Sequence, residues 1–183
     1  VGDRCVVTAG RERQVGRVAR VPQPNLLGID AVPVRTLSRF EKEMDRHAQR
    51  RRDMEIDLRH ALANGEFELH YQPLVDLDQD RIVSFEALLR WRHPEKGMIS
   101  PADFIPVAED ARLIVPIGNW VLAEAIRQAS IWHQQGWEMI VAVNVSALQF
   151  EQANFVQQVS DLLKNSGLPA ARLELELTET LLM

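Results

Sequence analysis

Phe67-Glu68-Leu69-His70-Tyr71-Gln72-Pro73, the polar turn 76–80, and Arg81-Ile82-Val83-Ser84-Phe85-Glu86-Ala87-Leu88-Leu89-Arg90-Trp91 together decide the fold. Both arms alternate with period two. Phe67, Leu69 and Tyr71 stand against Glu68, His70 and Gln72, and Phe85, Ala87, Leu89 and Trp91 stand against Ser84, Glu86, Leu88 and Arg90. Successive strand side chains point to opposite faces, so the pattern predicts two half-buried strands interrupted only by Pro73. A turn this short joins them as an antiparallel hairpin.

Upstream the period changes. Met54, Leu58, Ala61 and Leu62 recur on one helical face, with Ser38 as a candidate N-cap and Asn64-Gly65 as the stop. Arg50-Arg51-Arg52 lies inside this helix and reads as a solvated face. Residues 1–37, with Pro22, Pro24 and Pro33 and no sustained period, read as a linker or unassigned segment. Downstream, Ser100-Pro101 with Asp103 opens a helix, and a longer one follows from about Pro116 to a stop at Gly136. Met139 to Ser146 is a β-branched, almost wholly apolar run expected of a strand covered on both faces. Glu151 to Ser166 reads as an amphipathic helix closed by Gly167, and Arg172 to Thr180 as a last strand. Strands alternating with helices after a hairpin imply an α/β fold with a parallel sheet.

Composition narrows the function classes. The 183 residues carry 21 Lys+Arg and 26 Asp+Glu, a formal charge of −5, and 46% are hydrophobic. Residues 1–60 are net +4 and residues 61–183 net −9. An acidic body argues against a nucleic-acid polymer as partner and suits a site that gathers carboxylates around divalent cations. No apolar run approaches the ~18 residues of a membrane span. The single cysteine, Cys5, forms no internal disulfide, and a cytoplasmic location is expected.

The informative residues are polar side chains on strands that ought to be dry. Glu86 shares a face with Arg90, Asn144 interrupts Val141-Ala142-Val143-Asn144-Val145, and Glu176 lies between Leu175 and Leu177. Period-two geometry lets Glu86, Asn144 and Glu176 project from one side of a common sheet, near the carboxyl ends of their strands. Two carboxylates and an amide oxygen are a hard-cation set, suited to Mg²⁺ or Mn²⁺ and unsuited to zinc. Each residue alone also fits a water-facing strand end. An unpartnered amide inside so apolar a run would cost about 1–3 kcal/mol, which predicts a specific partner for Asn144. Arg90 fits either an anion contact or an ion pair with a strand carboxylate. Gln72 is weak evidence for a pocket, and Glu179 reads as a loop brace. His93 and His133 have no partner at catalytic spacing and read as structural.

Glu86-Ala87-Leu88-Leu89-Arg90-Trp91 resembles the signature of EAL domains, bacterial phosphodiesterases of the second messenger cyclic di-GMP. Tyr71-Gln72-Pro73-Leu74-Val75-Asp76 is similar to that family's first strand. Arg92-His93-Pro94, and Gly97 through Ser100-Pro101 to Phe104-Ile105-Pro106-Val107-Ala108-Glu109, are similar to its first loop and helix. Asn144-Val145-Ser146 and Glu176-Leu177-Thr178-Glu179 match further motifs. The resemblance implies a TIM-like (β/α) barrel with an antiparallel first strand, of which residues 57–183 would be the N-terminal half. It implies metal-dependent hydrolysis of cyclic di-GMP to linear pGpG. Glu86, Asn144 and Glu176 would be Mg²⁺ or Mn²⁺ ligands, Gln72 and Arg90 would contact substrate, and Glu179 would hold a loop supporting metal binding and a homodimer through the barrel. Residues 38–64 resemble the connector that joins a GGDEF domain to an EAL domain, so a GGDEF or sensor domain is expected upstream.

A (β/α)₈ barrel needs roughly 250 residues. The family's second half supplies an Asp-Asp pair, a lysine, and a later glutamate and glutamine, none of which is in this sequence. The alternative expectation is therefore a catalytically inactive fragment acting as a cyclic di-GMP receptor or protein-interaction module.

Overall fold

The computed structural model describes residues 34–177. The chain divides into two compact units at Asp53/Met54, and the second holds the sheet. Helix α1 runs Val34–Ala61. It begins four residues before Ser38, because nothing in Val34-Arg35-Thr36-Leu37 stops a helix from propagating back toward Pro33. Leu58 and Ala61, on its last two turns, are buried in the core. Gly65 at φ 68° makes the turn into the sheet, a conformation that glycine adopts without steric cost.

Strands β1 (Phe67–Asp76) and β2 (Arg81–His93) pair antiparallel, with Gln72 opposite Glu86 and Glu68 opposite Arg90. The strand continues through Pro73, which is tolerated because β1 is an edge strand. A register shift at Leu74/Val75 follows it. A three-residue strand the sequence pattern does not disclose, β3 (Gly97–Ile99), folds back on the end of β2. Helices α2 (Pro101–Asp110) and α3 (Ile114–Gln134) lead to β4 (Ile140–Val145), which is parallel to β2. A single turn α4 (Ala147–Phe150), helix α5 (Phe155–Ser166) and a 3₁₀ turn precede β5 (Leu173–Leu177), parallel to β4. The sheet order is β1-β2-β4-β5, with β3 on β2. The helix expected from Glu151 thus starts at Phe155, after a turn that separates it from α4.

One face of the sheet is apolar. Ala87 and Trp91 of β2 and Val141, Val143 and Val145 of β4 are buried with Ile117, Val121, Ala125 and Ala129, the stripe of α3. Burying each valine stabilises the fold by roughly 1.5–3 kcal/mol. At the open end of the hairpin, Phe67, Trp91 and Phe104 pack ring against ring, with centroids 5.5–6.2 Å apart. The Trp91 indole N–H donates to Glu66 Oε2 at 3.0 Å. Ser130 Oγ on α3 donates to the Ser166 carbonyl at 2.7 Å and ties α5 to α3.

Candidate active site

The alternate strand positions make a second, polar face. Gln72 and Glu86 are opposite each other on β1 and β2, and Asn144 and Glu176 are opposite each other on β4 and β5. Asn144 is two residues beyond Ala142, which faces Glu86. Its Nδ2 reaches across and donates to Glu86 Oε1 at 2.7 Å. The specific partner expected for Asn144 exists. The dry environment does not, because Asn144 is exposed while Val141, Ala142, Val143 and Val145 are buried. β4 is therefore fully covered on one face and only partly on the other. Glu86 also sits mid-strand rather than at the end of β2, which runs on to His93 as part of the hairpin after its pairing with β4 ends at Ala87.

Burial raises the pKa of the half-buried Glu176 carboxyl above its ordinary value, and the Glu86 and Glu174 carboxylates add to the rise. The Glu86 carboxylate thus stands close enough to Glu176 to repel it, and it accepts the Asn144 amide N–H. The donors are all hard oxygens, a set that fits Mg²⁺ or Mn²⁺. Among the described residues no three His, Cys, Asp or Glu side chains converge, so this portion offers two carboxylates and an amide rather than a complete cage.

Arg90 lies on the same polar face. Its Nη1 donates to the Leu89 carbonyl at 2.9 Å, and no carboxylate among the described residues forms an ion pair with it. Glu68, the carboxylate opposite Arg90, is bound by Arg92 and His70 instead. A cavity of about 190 Å³ opens where β2 and β4 meet α2 and α3, lined by Ala87, Arg90, Glu109, Asn144, Ser146 and Gln149 among others.

Gln149 is a residue that sequence reasoning missed. Ser146 caps α4 by accepting the Gln149 backbone N–H at 3.2 Å. The Gln149 side chain, only 2% exposed, then donates to Asn119 Oδ1 at 3.1 Å. It lies over Gly118 so closely that a Cβ there would stand 2.2 Å from Oε1. The Ser-x-x-Gln spacing after Asn144 was the one available signal.

His93 and His133 stay outside the polar face. His93 Nδ1 accepts backbone N–H groups of Glu95 and Lys96 at 3.1 and 3.2 Å, which leaves the ring proton on Nε2, 3.3 Å from Asp57 Oδ2. Among the described residues His133 Nδ1 is buried without a partner. Glu179 and residues 1–33 lie outside the described residues. No helix among the described residues is long and apolar enough to cross a membrane.

Comparison with known proteins follows the same residues. The EAL domain family model matches residues 55–183. The chain is 44% identical over 147 residues to the bifunctional diguanylate cyclase/cyclic di-GMP phosphodiesterase MucR of Pseudomonas aeruginosa, covering 79% of this chain and 21% of that protein. It is 36% identical over 144 residues to the cyclic di-GMP phosphodiesterase PdeR of Escherichia coli, covering 79% and 22%. Among solved structures, the PaMucR phosphodiesterase in complex with c-di-GMP superposes with a TM-score of 0.67 at 45% identity, covering 69% of this chain and 52% of that one. The cGMP-bound EAL enzyme Bd1971 superposes with a TM-score of 0.70 at 31% identity, covering 82% and 43%. The chain thus spans about a fifth of these curated relatives and about half of the solved chains. With an antiparallel first strand, parallel strands after it, and a family match that takes in β1 to β5, the chain belongs to the EAL domain family.

Proposed function

We propose that this chain carries the first half of a metal-dependent phosphodiesterase site that hydrolyses cyclic di-GMP to linear pGpG. The observation that carries the reading is the meeting of Glu86 and Asn144, bonded at 2.7 Å, with Glu176 in register beside Asn144. Glu86, Asn144 and Glu176 would hold Mg²⁺ or Mn²⁺. Such a cation supplies positive charge to a phosphodiester oxygen and acidity to water. Asn144 must turn its amide to contribute, since the Nδ2 that donates to Glu86 has no lone pair to offer a cation. Arg90, without a carboxylate partner among the described residues, would bind a phosphate oxygen of the substrate, and Gln72, opposite Glu86, would hydrogen-bond it. Glu179 would brace the loop after β5. On the same reading residues 38–64 are the connector to an upstream GGDEF or sensor domain, the barrel forms a homodimer, and the protein works in the cytoplasm.

The test is incubation with cyclic di-GMP and Mn²⁺, with pGpG followed by chromatography, on this chain and on the full protein its gene encodes. Product that disappears in Glu86→Gln supports the reading. Product from neither protein removes the enzymatic reading, and binding without turnover assigns the chain to the receptor alternative.

A further inference from the structure

We infer that Arg92 is a positioning residue for substrate binding, which acts by occupying Glu68 and so keeps Arg90 available to a phosphate. The inference rests on the proposed role of Arg90. Glu68 and Arg90 are directly opposite on β1 and β2, and such antiparallel pairs bring Cβ atoms to about 4.5–5.5 Å. Opposite charges placed so would ordinarily pair. They do not, because both Glu68 oxygens are taken. Arg92, two residues along the same face, donates Nη2 to Oε1 at 3.1 Å and Nε to Oε2 at 3.2 Å. His70 Nε2 lies 2.9 Å from the same Oε1. This two-point fork is the strongest geometry available to a guanidinium and a carboxylate, and it outcompetes the Arg90 approach. Among the described residues Arg90 is left with the Leu89 carbonyl alone, and it lines the same cavity as Asn144. The Glu68 carboxyl accordingly sits below its ordinary pKa, held there first by Arg92 and then by His70.

Removing Arg92 frees Glu68 to capture Arg90, and removing Glu68 as well releases Arg90 again. Binding of cyclic di-GMP is measured by calorimetry on the full chain as wild type, Arg90→Ala, Arg92→Ala, and Arg92→Ala combined with Glu68→Gln. Arg90→Ala is expected to weaken binding about ten-fold or more, as loss of a charged hydrogen bond does. Arg92→Ala should weaken it about two- to five-fold, the scale of an exposed ion pair, with kcat unchanged wherever turnover is seen. The double variant should return to within about two-fold of wild type, whereas a merely structural role for the Arg92–Glu68 pair predicts no recovery. Arg92→Ala binding like wild type, or a double variant no better than the single one, overturns the inference. Arg90→Ala binding like wild type overturns the underlying assignment instead. A readout needing no ligand is the ¹³C titration of the Glu68 carboxyl. In Arg92→Ala it should stay low and rise only when Arg90 is also replaced, and an ordinary Glu68 titration in Arg92→Ala refutes the capture outright.

Discussion

Replacing Trp91 with Phe tests the join between the hairpin and the core. Trp91 is fully buried, at 0% exposure, and is packed by Phe67, Phe104 and His93. Its indole N–H reaches Glu66 Oε2 at 3.0 Å, and Asn64 Nδ2 holds the other oxygen at 3.1 Å. Phenylalanine keeps an aromatic ring but removes the donor and leaves unfilled volume. The hydrogen bond to a charged acceptor contributes about 1.5 kcal/mol, the low end for such bonds because Glu66 is only half-buried. The unfilled volume adds about 1–2 kcal/mol. The expected loss is about 3 kcal/mol at pH 7, or about 6–12 °C in Tm for a chain of this size. The loss should depend on pH. Glu66 is held below its ordinary 4.5 chiefly by the indole N–H. A carboxylate with a depressed folded pKa contributes stability that is fully present above its unfolded pKa and is lost as pH falls through the folded one. Urea unfolding followed by circular dichroism, at pH 7 and at pH 3, should therefore show the gap between wild type and Trp91→Phe shrinking toward the packing part alone. A gap of the same size at both pH values would refute the indole–carboxylate account.

Gly118→Ala places a methyl 2.2 Å from Gln149 Oε1 and forces the amide off Asn119, which costs about 1–3 kcal/mol against the ~1 kcal/mol helix preference for alanine. Adding Gln149→Ala should make the Gly118→Ala step itself stabilising, as read by urea unfolding. Asp57→Asn removes the ion pair to Lys96 at 2.5 Å and the contact to His93 at 3.3 Å. The Lys96 hydrogen bond, the largest influence, holds Asp57 below its ordinary 3.8, so wild type should lose stability faster than Asp57→Asn as pH falls below that value, and parallel profiles would contradict it. Mn²⁺ should raise the Tm of the wild-type chain with concentration, by the equivalent of about 2.7 kcal/mol at a hundredfold excess over Kd, and its removal by chelator should reverse the shift. An equal rise in Glu86→Gln would place the cation elsewhere.

The hairpin was legible because a half-buried strand must alternate, and α3 because its stripe must follow one face of the sheet. β3 was not, since three residues are too short to display a period. The start of α5 is misplaced in the sequence reading because Glu151 to Asn154 has no helix breaker; the Ser146 cap opens the separate turn α4 upstream, and Phe150 of that turn packs on Phe155, where α5 begins. At the candidate site, alternation placed Glu86, Asn144 and Glu176 on one face, and the structure brings Glu86 to Asn144 and Asn144 beside Glu176. Apolar neighbours made Asn144 look dry because hydropathy records the covered face of β4 and says nothing of what the other face meets. The contact of Gln149 with Gly118 joins residues far apart in the chain and is decided by tertiary packing, for which local sequence carries no signal.

Charge along β2 gives the polar face a direction. Glu86 stands at the carboxylate end, beside Asn144, with Glu176 one strand further on. Arg90 is four residues along the same face, about 13 Å away at ordinary strand rise. A cation held at the first place and a guanidinium at the second both attract phosphate, yet a single phosphate is too small to satisfy both. A ligand with two phosphates set apart by sugars gains from each end, whereas a mononucleotide gains from one. On the proposed reading the bond from Arg92 to Glu68 would matter for the same reason: were Glu68 to neutralise Arg90, the face would lose the second of its two phosphate-attracting places.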